Sequence, residues 1–119
     1  MVSRMRALVL FVLTASLAAC GAPEPDRRAQ AIAATFPDLA DRQGIYLAER
    51  TGRRTIRVAW DTARLTRPEV EWRVSGQCQR LDPALDGRTE TRRAKTTTTR
   101  LPDGRIARLR DETFTCLRR

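Results

Sequence analysis

An α+β fold, with a helix packed on a small antiparallel sheet of four to five strands, follows from three observations on the sequence. Apolar residues recur at helical spacing just before Pro37. They alternate with polar ones over Ile56–Trp60 and again over Val70–Cys78. A Pro-Asp-Gly turn then introduces a last alternating stretch.

The helix is expected from about Glu24 to Thr35. Ala29, Ile32, Ala33 and Phe36 recur at i, i+3, i+4 and i+7, and Arg27, Arg28 and Gln30 fall outside that stripe. Glu24 and Asp26 suit the positive end of the helix dipole, and Pro37 ends the run. A stripe so rich in Ala offers little area for insertion into a membrane, so the helix is expected against the domain.

Residues 38–52 admit two readings. Leu39, Tyr46 and Leu47 fit a second helix stopped by Gly52, or Ile45–Glu49 is a strand that Thr51-Gly52-Arg53-Arg54 turns into the next one. Gly44 would weaken a helix interior by ~1 kcal/mol, which favours the hairpin.

Beyond this point the pattern reads as antiparallel strand. Ile56, Val58 and Trp60 alternate with Arg57 and Ala59. Val70, Trp72, Val74, Gly76 and Cys78 alternate with Glu69, Glu71, Arg73, Ser75 and Gln77, which predicts a strand with one apolar and one solvated face. Asp82-Pro83 and Asp86-Gly87 mark the turn after it. Arg88–Arg100 holds five basic residues, six Thr and no large apolar side chain, so it is extended in character without a face to bury. Leu101-Pro102-Asp103-Gly104-Arg105 is a hairpin turn. The last strand is expected over about Arg105–Leu117, carrying Ile106, Leu109, Phe114 and Cys116. Its alternation breaks near Arg110-Asp111, which implies a bulge, two short strands, or a short helix over Ile106–Arg110.

The N-terminus divides differently. Arg4 and Arg6 precede an uncharged run from Ala7 to Ala19, and Leu17-Ala18-Ala19-Cys20 is followed by Gly21. A membrane-spanning helix needs ~20 apolar residues, so the run is short for a span and suits the apolar core of an export signal. The Leu-Ala-Ala-Cys sequence resembles the lipobox of bacterial prolipoproteins. The resemblance covers about a fifth of the chain and implies removal of residues 1–19 and diacylglycerol on Cys20. Acyl chains contribute ~0.8 kcal/mol per buried methylene, so two or three make a lasting tie to the bilayer. Gly21, in place of the Asp that retains such proteins at the inner membrane, implies the outer membrane. Residues 20–26 then form a lipidated tether and residues 27–119 a single domain. Six extended residues from Gly21 to Asp26 reach at most ~20 Å.

The same resemblance resolves the cysteines. Three is an awkward number for an exported chain, but lipidation consumes Cys20 and leaves Cys78 and Cys116 as a pair in an oxidising compartment. The expectation is thus an α+β domain with one disulfide. Two buried thiols remain an alternative. A metal site is poorly supported, because the chain has no histidine and no CxxC spacing. Leu, Ile, Val and Phe number seventeen from Cys20 onward, few for such a length, so the core is thin and a cross-link matters.

Function is read mainly through charge. Without residues 1–19 the chain carries a net charge of +7, and eighteen of its basic residues fall after Glu49. Such a field favours anionic partners. The richest segment places Arg92, Arg93, Lys95 and Arg100 together as an expected anionic-surface site, facing lipid phosphates, lipopolysaccharide or peptidoglycan carboxylates. The plainer use of such residues is to guard a strand edge against aggregation. Export argues against nucleic acid as the partner.

No catalytic constellation stands out. Histidine is absent, Ser75 is the sole serine after Cys20, and Glu69 and Glu71 read as a solvated strand face. The expectation is a non-enzymatic envelope lipoprotein without cofactor or metal, an accessory or structural module that binds another envelope component or protein complex. A binding or inhibitory module acting on a soluble periplasmic target is the alternative. A carboxylate hydrolase is a third class.

Overall fold

A computed structural model describes residues 24–89 and 94–119. Its order is α1 (Glu24–Thr35), a 3-10 turn (Leu39–Arg42), β1 (Ile45–Arg50), β2 (Thr55–Asp61), α2 (Arg67–Leu81), β3 (Leu85–Thr89), β4 (Lys95–Arg100) and β5 (Ile106–Arg118). All strand pairs are antiparallel. The sheet runs β1-β2-β5, and the far edge of β5 is shared by β3 along its second half and β4 along its first. The α+β class stands, with five strands and, among the described residues, two helices rather than one. Cys20 lies outside the described residues.

α1 spans Glu24–Thr35, the range the sequence predicts, with an acidic first turn that suits the helix dipole. Ile32 packs against the core and Phe36, just past the helix, is fully buried. Arg42 donates through Nε to the Phe36 carbonyl at 2.7 Å and through Nη2 to the Pro37 carbonyl at 2.7 Å, closing the chain after Pro37. The hairpin reading of residues 45–61 holds. Gly44 enters it with φ +78°, and a Cβ there would lie 2.8 Å from Leu65 Cγ, so this position requires glycine.

The expected strand over Glu69–Cys78 is instead the helix α2. Val70, Val74 and Cys78 lie four residues apart, and that spacing satisfies period 2 and helical period alike. Trp72 and Gly76 separate the two readings, and the helix turns both outward. Local chemistry decides the outcome. Thr66 caps the first turn, accepting from the Glu69 N–H and donating to Glu69 Oε1 at 3.1 Å, with Pro68 in the first turn. The hydroxyl cap satisfies the Glu69 N–H, one of the backbone donors that the helix leaves open, and Pro68 has no N–H to satisfy. Glu69 and Glu71 thereby part company: Glu69 caps, whereas Glu71 pairs with Arg67 at 3.3 Å.

β5 is one uninterrupted strand of 13 residues, and its register with β2 shows no shift from Leu109 to Thr115. The break in its alternation is a change of buried face. Ala107 and Leu109 are buried on one side, Glu112, Phe114 and Cys116 on the other. The second half lies under the helices and the first half does not.

The core gathers on that helix side: Phe36, Ile56, Val58, Trp60, Val70, Val74, Leu85 and Phe114. Trp60 and Phe114 rings sit 6.3 Å apart, within aromatic contact range. Cys78 and Cys116 form a disulfide across a Cα–Cα distance of 5.5 Å and 38 residues of chain. Closing a loop of that length contributes ~4 kcal/mol in the chain-entropy view. The cysteine comes from the inner face of α2 rather than from a strand.

Candidate functional site

The basic residues fall into two groups, those with partners and those without. Arg57 bridges β1, β2 and β5 through Glu49 at 3.3 Å and Asp111 at 2.6 Å. Arg67 and Arg110 converge on Glu112, whose side chain is 2% exposed. Arg105 donates through Nη2 to the buried Asp61 carboxylate at 2.6 Å. Burial raises the Asp61 pKa, but the Arg105 hydrogen bond, the Ala63 N–H and the charges of Arg105 and Arg64 outweigh it, holding the group below its ordinary value. These carboxylates are fully engaged, and among the described residues no buried side-chain polar atom lacks a partner. Nor does any cluster of three or more His, Cys, Asp or Glu suit a metal there.

The expected anionic-surface site is only partly assembled. Arg92 and Arg93 lie outside the described residues. Lys95 and Arg100 begin and end β4, five residues apart, so they point to opposite faces of the strand ~17 Å from each other. They do not form one charged line.

A different grouping appears across the β4–β5 ladder. Arg100 is directly opposite Ile106, and Thr98 is opposite Arg108. Arg100, Ile106 and Arg108 therefore share one face, with Arg108 diagonal to Arg100. All three are exposed, Ile106 by 66%, and neither Arg has a side-chain hydrogen bond or ion pair among the described residues. Sequence reasoning missed Arg108. Its signal lay in the alternation of Ile106, Arg108 and Arg110, obscured by the break near Arg110-Asp111 and the rival short helix over Ile106–Arg110.

This trio sits on a projecting arm. β2 ends at Asp61, opposite Leu109, while β5 and β4 continue past it to the hairpin turn at Leu101–Arg105. Gly104, with φ +86°, donates its N–H to the Leu101 carbonyl at 2.9 Å, as the turn sequence predicts. Thr96, Thr97 and Thr98 of β4 are exposed.

The arm leaves the sheet at the end where α1 enters. Arg28 lies 4.1 Å above the Tyr46 ring and donates to its hydroxyl at 2.8 Å, which holds the early turns of α1 beside the start of β1. Three strand spacings, ~14 Å, separate β1 from β4. A second set of cations, Arg50, Arg53, Arg54 and Arg118, without ion-pair partners among the described residues, occupies the opposite end of the sheet. No described helix is long and apolar enough to cross a membrane. Searches with the chain against protein-family models, curated proteins and solved structures return no match.

Proposed function

We propose that the chain is a lipoprotein of the bacterial envelope, tied to the outer membrane through Cys20 and facing the periplasm. It is a non-enzymatic accessory module whose basic arm engages an anionic envelope component. The carrying observation is the exposed Ile106 flanked by Arg100 and Arg108, which have no ion-pair partner among the described residues, at the end of the sheet where α1 begins. An apolar side chain between two guanidinium groups suits a phosphate-bearing lipid surface. Arg binds phosphate through paired N–H groups, and each basic residue near an anionic leaflet contributes ~1 kcal/mol. A lipid at Cys20 would hold this arm against such a surface.

Co-sedimentation of the unlipidated domain with vesicles tests the reading. Binding is expected to anionic vesicles and to weaken with salt. Replacing both Arg100 and Arg108 with Ser should reduce it about thirtyfold, from the loss of two such contributions. Equal binding to neutral and anionic vesicles would sink the membrane role. Radiolabelled acyl incorporation that is lost in Cys20→Ser tests the anchor separately.

A further inference from the structure

The outer face of α2 carries three features that the fold does not use. Trp72 is 77% exposed near the middle of the helix. One turn later Gly76 is exposed, and a Cβ built there meets nothing within 4 Å. A glycine weakens a helix interior, and no neighbour inside the domain needs the space it leaves. One turn further, the exposed Arg80 has a single contact to an exposed carboxylate, Asp38, at 3.7 Å. Pro68, Trp72, Gly76 and Arg80 form one i+4 ridge. Around it lies an open groove of about 960 Å³ between the 3-10 turn and β3.

The geometry points to this ridge as the contact between two copies of the chain, with α2 crossing its mate antiparallel at Gly76. The ridge is complementary to itself. Trp72 precedes Gly76 by four residues and Arg80 follows it by four. A two-fold crossing centred on Gly76 sets each Trp72 against the partner's Arg80, twice over. A guanidinium over an indole face is a favourable pairing, and the missing Cβ lets the two backbones approach where i+4 ridges cross. A parallel crossing would bring Arg80 against the partner's Arg80 and repel. One surface then serves both copies, as a closed dimer requires. The contact does not rest on the proposed anchor, but two copies tied to one membrane would meet at raised effective concentration.

Sedimentation equilibrium of the detergent-solubilised chain over a wide concentration range reads the association directly. A concentration-dependent dimer is expected. Trp72→Ala and Arg80→Ala should each weaken it about tenfold, since each removes both Trp–Arg pairs. An equimolar mixture of the two variants should recover part of the loss, because one Trp–Arg pair can re-form between them. Gly76→Leu should abolish association while far-UV circular dichroism and the disulfide stay unchanged. A monomer throughout the range overturns the proposal, as does a dimer insensitive to both alanine variants. Strengthening by Arg80→Ala, or no recovery in the mixture, overturns the antiparallel pairing.

Discussion

Arg67 donates through Nε to both oxygens of Glu112, at 3.2 and 3.0 Å, and so ties the first residue of α2 to the middle of β5. Glu112 is almost fully buried, whereas Arg67 keeps about a third of its side chain in solvent. The two ends of the pair therefore differ in what their loss leaves behind. Arg67→Met strands a buried carboxylate with Arg110 alone and should cost about 3 kcal/mol. Glu112→Gln leaves two arginines that can reach water, and should cost about 1 kcal/mol. Urea unfolding midpoints of the two variants give the comparison, and equal costs would refute the asymmetry.

Asp61 links stability to acid. Its folded-state pKa lies below the ordinary value, so protonation favours the unfolded chain. Its contribution is complete above the unfolded-state pKa and disappears as pH falls through the lower, folded one. Asp61→Asn should be less stable than the parent at neutral pH by a constant margin down to about pH 5. The margin should then close below about pH 4. Denaturation across a pH series measures this, and a margin that widens in acid would contradict the Arg105 pairing.

The glycines at 44 and 76 should respond to alanine in opposite directions. Gly44 has φ +78° and a side-chain neighbour 2.8 Å from where a Cβ would stand, so Gly44→Ala destabilises. Gly76 has open space around it, so Gly76→Ala should stabilise the monomer by about 0.5–1 kcal/mol. Thermal unfolding at dilute protein concentration distinguishes the signs.

Much of the fold was legible because it rests on local chemistry. Pro37 stops α1, Gly52 and Gly104 lie in the turns expected of them, and Cys78 and Cys116 pair once Cys20 is set aside. α2 reads as a strand because Val70, Val74 and Cys78 fit either period, and the signal that decides for a helix is the cap formed by Thr66 and Glu69 with Pro68 in the first turn. The arm was half legible. Composition marked Lys95 and Arg100, but side-chain direction depends on strand register, and no property of residues 88–100 alone brings Arg108 beside Arg100. The change of buried face along β5 comes from where the helices end, which is a tertiary fact.

The disulfide has a topological consequence for the arm. β3, β4, the hairpin turn and β5 up to Cys116 all lie between the two cysteines, so they belong to one covalent ring closed at α2. A single cut by a trypsin-like protease at the exposed Arg100, Arg105 or Arg108 opens that ring without releasing a fragment. The two sides of the nick stay joined through sulfur, and their backbone ladder survives on either side of the cut. The arm that continues past the end of β2 is thus held to the domain twice, by backbone and by sulfur.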